Sequence, residues 1–595
     1  MMGIHKITAG SGYTYLTNQT AAHDTTLVPG QELADYYSEK GEKPGQWMGR
    51  GLVGLSGPFG LEAGEAVTEE HMLALFGEGR HPNADRIEAI LIREGDSTKK
   101  VLAATKMGRK FSDAPEEKSA FQVETAKAYQ AWLKDNGRSY KDPVPPQVRA
   151  AIRTAVGRST FEDEHGRAPD ERELNTHIAR STRPNKQTVA GYDLTFSPVK
   201  SASVLWALGD RDVADAVADA HDAAVAATLE WLEGEVAYTR RGAQGVRHVK
   251  TNGLIAAAFV HRDSRAGEPD LHTHVAISNK VQDAHDGKWL ALDGQVLYKA
   301  TVAASERYNT ALERELNRRL GVEFTARTTA RGRRPVREIA GIPPEWIEHF
   351  SSRRAQIEAR TGQLQAQFRA DHGRPPTPKE SLDLYQQATL ETRAAKKEPR
   401  SEAEQRVAWK ASMYALEGGD IDRVEGRLST LLQHGATRTN TLTGEQIRDL
   451  AGQVLATVSA SRARFQVDHL MAETLRRVRA FDLVADSEDD AVTRVVAACQ
   501  ARESVVCLDA KDTVAEPVSV RRADGESIYE RPRSRVYTTV QTLAAEQRVI
   551  DASHVSTSHV VADEDVAAAL LESVANGTSL NPAQTQLVTE MATSG

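Results

Sequence analysis

Cysteine is almost absent from this sequence: its 595 residues include only Cys499 and Cys507. That scarcity excludes a disulfide framework and a zinc site built on cysteine clusters, so any metal must sit on histidine or carboxylate. Long apolar runs are lacking as well, and nothing approaches the ~20 consecutive apolar residues of a membrane-crossing helix. The first residues, MMGIHKITAG, show no apolar core followed by a small-residue cleavage site. The expected compartment is therefore the cytoplasm, with no membrane insertion. Net positive charge is missing too. The formal balance is −8, so a chain that neutralises phosphates must concentrate its Lys and Arg locally. No G-x-x-x-x-G-K-[ST] loop occurs, which removes the backbone cradle that nucleotide-driven motors use to hold phosphates. Internal repeats and low-complexity tracts are also absent.

What is present fits a folded chain of several domains, because the length exceeds that at which a single core keeps growing. Residues 1 to about 60 carry aromatic, Gly-rich text such as GYTYL and DYYSEKGEKPGQWMGRG. Helix-like stretches such as EEKSAFQVETAKAYQAWLKDNG, closed by Gly137 and followed by DPVPPQ, point to an inserted helical lobe over about 86–183. Strand-like text follows in AGYDLTFSPVK, GLIAAAFVH and LHTHVAISNKV, and DSRAGEPD suits the turn of an antiparallel pair. Beyond residue 300 the pattern is largely helical. Near residue 440 a second regime starts, with VVAACQARESVVCLDA and RSRVYTTVQTLAAEQRVI suggesting a separate α/β unit. The local basic excess lies between Lys299 and Arg354, where twelve Lys/Arg stand against seven Asp/Glu. Arg331, Arg333, Arg334 and Arg337 make this a candidate DNA-binding stretch, to which Lys200 is added. A solvated face is the plainer alternative.

The strongest chemical signal is H-x10-H-x-H, formed by His261, His272 and His274. On a strand, positions i and i+2 point to one face, so His272 and His274 project together. If DSRAGEPD folds back as a hairpin, His261 comes opposite them and three imidazoles converge. Three neutral ligands with open coordination positions make a Lewis acid of a divalent cation. The cluster alone would equally fit a metal oxygenase or hydrolase. Tyr13 and Tyr15 near the start, and Tyr36 and Tyr37 after them, are candidate nucleophiles, although tyrosines are commonly core or interface residues. Asp193 in YDLTFS could accept a tyrosine proton or orient a ligating histidine.

Together, GYDLTFSPVKSAS and HRDSRAGEPDLHTHVAISNKVQ resemble the consecutive signatures of the MobF-class conjugative relaxases, the group typified by TraI and TrwC. DYYSEKGEKPGQWMGRG, DGKWLALDGQVLY and FSSRRAQIE extend the likeness over about residues 1–60 and 186–410. The resemblance implies an α+β fold: a palm-like antiparallel sheet flanked by helices, within a relaxase domain over 1–410. It implies His261, His272 and His274 as metal ligands, Asp193 as the residue assisting the nucleophile, and Tyr13 or Tyr15 as that nucleophile. The family usually has adjacent tyrosines here, whereas Thr14 separates these two. Tyr36 and Tyr37 match the second tyrosine pair, which in some members serves a later strand transfer. The implied reaction nicks single-stranded DNA at an origin of transfer and leaves a 5′-phosphotyrosine. The implied cofactor is a divalent ion, magnesium or manganese, although three imidazoles intrinsically favour later metals such as zinc. Relaxosome accessory and coupling proteins are the implied partners. Residues 411–595 resemble the N-terminal part of a RecD-like helicase region that stops before the ATP site. Three rivals use parts of the same signal: a rolling-circle replication initiator, a non-catalytic single-stranded DNA-binding regulator, and a His-metal small-molecule enzyme. His261 favours a relaxase over the first, because such initiators commonly rely on an HxH pair plus another ligand.

Overall fold

In this computed structural model the described residues are 1–16, 44–55, 57–111, 119–139, 142, 144–181, 188–327, 334–392, 400–432, 440–481, 483, 485–509, 516–554 and 560–593. They form two compact units, Met1–Thr437 with Glu516–Pro532, and Arg438–Ala515 with Arg533–Gly595. The first is built on an antiparallel sheet. Its strands are β1 (Met2–Thr8), β2 (Gln46–Met48) and β3 (Val189–Phe196), followed after the ribbon β4 (Tyr238–Arg241)–β5 (Arg247–Lys250) by β6 (Ala256–Asp263) and β7 (Pro269–Ser278). The sheet order is β1-β3-β7-β6-β2, which puts β7 in the centre.

Alternation along β7 explains why the sheet has two distinct faces. Leu271, Thr273, Val275 and Ile277 are buried on one side, packed with helices Lys200–Leu208, Arg211–Glu235 and Gly294–Leu320. The Arg211–Glu235 helix is started by Asp210, whose side chain accepts from the Val213 N–H, as an N-cap carboxylate does. The Gly294–Leu320 helix ends at Gly321, whose φ of 67° is the left-handed turn that glycine adopts without steric cost. On the opposite face Ala276 joins Ile7, Trp47, Phe76, Ala257 and Phe259 in a second core. Further along that face the sheet is less covered, and the side chains of His272 and His274 are 15% and 12% exposed.

Between β2 and β3 lies the helical segment, with helices Ala84–Arg93, Thr98–Ala104, Ala120–Asp135, Pro146–His165 and Glu171–Ser181. The second unit packs helices Gly444–Ser461, Val467–Val478 and Ala485–Gln500 around its own core. Beside them runs a two-stranded ribbon, Val505–Cys507 with Tyr537–Thr539. Among the described residues, no helix is long and apolar enough to cross a membrane.

Candidate active site

The β6–β7 hairpin closes across the connection anticipated from DSRAGEPD, and its register sets His261 directly opposite His272 and Phe259 opposite His274. The three imidazole centroids stand 4.9–5.3 Å apart, and one ligand atom from each ring lies within 4.8 Å of the other two. Hydrogen bonds assign the ring nitrogens. His272 Nδ1 is 2.7 Å from the Asp270 carbonyl, and His274 Nδ1 is 2.8 Å from Asp193 Oδ2 and 3.0 Å from Oδ1. A carbonyl and a carboxylate only accept, so both Nδ1 atoms carry the hydrogen and both Nε2 atoms keep their lone pairs. Burial holds the His272 imidazole below its usual range and so keeps it neutral. This donor set fits a divalent cation with positions left open for a further ligand.

Asp193 reaches the cluster because β3 pairs with β7, Asp193 opposite Ala276 and Thr195 opposite His274. Its carboxylate is almost fully buried and accepts a second hydrogen bond, 2.6 Å long, from the Tyr15 hydroxyl. The Tyr15 ring stands edge-on to His274 with centroids 6.3 Å apart. Tyr15, Asp193 and His274 thus form one continuous polar chain. Tyr13 turns elsewhere: it is 3% exposed in the second core, and its hydroxyl donates to Glu69 at 2.9 Å. Both phenols are pushed up from their ordinary value, each chiefly by burial and further by its neighbouring carboxylate.

The other sequence candidates scatter. Lys200 begins the Lys200–Leu208 helix and donates from Nζ to the Pro269 carbonyl at the start of β7, with burial lowering its pKa. Arg337, on the strand Val336–Ile339, is engaged by Glu313 at 2.8 Å and by the Phe324 carbonyl. Arg334 is exposed. Tyr36, Tyr37, Arg331 and Arg333 lie outside the described residues.

Sequence reasoning missed three features of the site. His5 is exposed on β1 and pairs in register with Asp193, which the alternation of MGIHKIT could have indicated. The Asp270 carbonyl that fixes the His272 tautomer has no side-chain signature at all. On the other side of the sheet from the three histidines, Thr273 Oγ1 meets His221 Nε2 at 2.7 Å, and His221 Nδ1 meets the Tyr308 hydroxyl at 2.8 Å.

The multifunctional conjugation protein TraI of Escherichia coli is 33% identical over 207 residues, which is 33% of this chain and 11% of that protein. TraI of Escherichia coli strain K12 is 28% identical over 326 residues, 52% of this chain and 16% of the relative. The chain therefore spans less than a fifth of the length of the curated relatives it matches. Among solved structures, a metal-bound complex of the conjugative relaxase TrwC with oriT DNA shares 24% identity over 71% of this chain and 100% of that one, at a TM-score of 0.38. TrwC complexed with a 27-mer DNA comprising the recognition hairpin and the cleavage site shares 31% over 44% of this chain and 90% of that one, at 0.32. The TrwC relaxase family matches residues 9–416, and the chain belongs to that family.

Proposed function

We propose that this chain nicks single-stranded DNA at an origin of transfer, with Tyr15 as the nucleophile and Asp193 as its proton acceptor. The observation that carries this reading is the 2.6 Å hydrogen bond from the Tyr15 hydroxyl to Asp193 Oδ2, the same oxygen that accepts from His274. A divalent cation held by His261, His272 and His274 would supply Lewis acidity to the scissile phosphate. Asp193 is aligned to take the phenolic proton as the tyrosine oxygen bonds to phosphorus. The bond from phosphorus to the 3′ oxygen breaks, and that oxygen leaves as a hydroxyl after gaining a proton. One phosphodiester is exchanged for another, so the step is reversible and the attached strand can be rejoined. His272 and His274 stay in register because the strand carrying them is central in the sheet.

Magnesium or manganese is the working ion in this reading, with zinc as the ion that imidazoles favour intrinsically. Single-stranded DNA at the origin of transfer, accessory relaxosome proteins and a coupling protein are its partners, and the cytoplasm is its compartment. Residues 411–595 are read as belonging to a RecD-like motor region.

The test is incubation of the protein with single-stranded origin DNA and each of these ions in turn, followed by denaturing electrophoresis. DNA should remain attached after detergent, and His272→Ala should abolish the adduct. Cleavage without any protein-attached DNA would refute the transesterase reading, and DNA binding without cleavage would leave only a binding protein.

A further inference from the structure

The helical segment before β3 holds a second group of metal-capable side chains, apart from the strand histidines. The Pro146–His165 helix ends on Glu164 and His165, and Gly166, at φ 68°, caps it in the left-handed conformation. The chain then turns back into the Glu171–Ser181 helix, which brings His177 to the end of the first helix. One ligand atom from each of Glu164, His165 and His177 lies within 4.8 Å of the other two, the same bound that the strand histidines meet. Glu164 Oε2 stands 3.7 Å from His177 Nδ1 and 4.0 Å from His165 Nε2.

The hydrogen bonding of His177 indicates what this arrangement requires. The Thr160 hydroxyl donates to the Val156 carbonyl one turn back, at 2.9 Å, and its oxygen is 3.0 Å from His177 Nε2. With its hydrogen committed to that carbonyl, the hydroxyl accepts from His177, so Nε2 carries the ring hydrogen and Nδ1 keeps its lone pair. That lone pair faces the Glu164 carboxylate, on a side chain only 10% exposed. Two electron-rich groups so placed are reconciled by a cation between them, either a proton on Nδ1 or a metal ion. Phe161 packs against both rings, 4.2 Å from the His165 centroid and 5.4 Å, edge-on, from that of His177.

Two imidazoles and a carboxylate, with water completing the shell, form a donor set of zinc-class ions, whose ligand bonds are about 2.0–2.2 Å. Drawing the atoms in requires rotation of Glu164 and His165, which are 63% and 47% exposed. His177 supplies the fixed point. We propose that Glu164, His165 and His177 bind a divalent cation of the zinc class and clamp the two helices at their turn, independently of the three strand histidines.

Equilibrium dialysis of the full chain against buffered Zn²⁺, with metal counted by atomic emission, tests the site directly. Two equivalents should bind to the full chain, and His177→Gln should lose one. A variant with His261, His272 and His274 all replaced by Ala should lose the other, and the combined variant should bind none. In the strand-histidine variant Zn²⁺ should still raise the melting temperature, and adding His177→Gln should remove that rise. Glu164→Gln, at an exposed position, provides a second variant if His177→Gln does not fold, and it should weaken the same equivalent. Retention of both equivalents in a folded His177→Gln or Glu164→Gln protein would overturn the proposal. So would a full chain that binds only the one equivalent lost with the strand histidines, since a proton on Nδ1 would then be what holds the pair together.

Discussion

Three consecutive residues of β7 divide between the two faces of the sheet, and the faces use their polar groups differently. His272 and His274 lie on the less covered face, each with one nitrogen bonded to the protein and the other left with its lone pair. Thr273 lies on the helix-covered face, where its hydroxyl meets His221, and His221 in turn meets Tyr308, with all three residues buried. On the first face, the His272 and His274 rings each use one nitrogen for orientation and leave the other able to accept a ligand. On the second, the imidazole has both nitrogens satisfied internally, as buried polar groups must be. Changes on the first face should therefore alter chemistry with little effect on stability, and changes on the second should do the reverse.

The largest effect is expected at Asp193. Asp193→Asn keeps the shape and can still accept from His274, but it cannot take up the phenolic proton. Nicking should slow by ~10²–10⁴-fold with DNA binding intact. A rate within a few-fold of the unaltered protein would remove Asp193 from the mechanism and blur the distinction between the faces.

On the other face, His221→Gln should cost roughly 1–3 kcal/mol of stability, because Thr273 or Tyr308 loses a buried partner. It should also change the dependence on acid. Burial holds His221 down at about 3 in the folded protein against an ordinary 6.5, so below pH 6.5 the unfolded chain binds the proton that the folded one refuses. Stability from this residue is complete above pH 6.5 and falls as pH is lowered, by up to ~1.4 kcal/mol per pH unit. Denaturant midpoints at pH 7 and pH 5 should differ more in the unaltered protein than in His221→Gln. Equal differences would show that the residue is not held neutral.

The smallest effect is expected from the basic stretch of the sequence. Replacing Arg331, Arg333 and Arg334 together by Gln should lower the salt slope of single-strand binding by ~0.7 per lost phosphate contact. An unchanged slope would make that stretch a solvated one.

The hairpin was readable from sequence because strand alternation and the H-x10-H-x-H spacing together leave one arrangement in which the rings converge. Asp193 was readable for the same reason, as part of a strand with a clear period of two. The different surroundings of Tyr13 and Tyr15 were not, since both follow β1 in a segment without periodicity, and their partners Glu69 and Asp193 come from distant parts of the chain. Lys200 and Arg337 illustrate the same limit. Each is a bare positive charge in the sequence, but in the fold each is engaged by a partner on another element, the Pro269 carbonyl and Glu313. His221 reads as an ordinary core position of an amphipathic helix, and its two partners come from a strand and a second helix far along the chain.

The most direct test of the central claim is to identify the residue that carries the DNA. After reaction with single-stranded origin DNA, nuclease trimming and proteolysis should leave a nucleotide adduct on the peptide containing Tyr15. Tyr15→Phe should then bind DNA without forming the adduct, whereas Tyr13→Phe should still form it. An adduct mapped to Tyr13, Tyr36 or Tyr37 in first cleavage, or a Tyr15→Phe protein that still couples to DNA, would contradict the account.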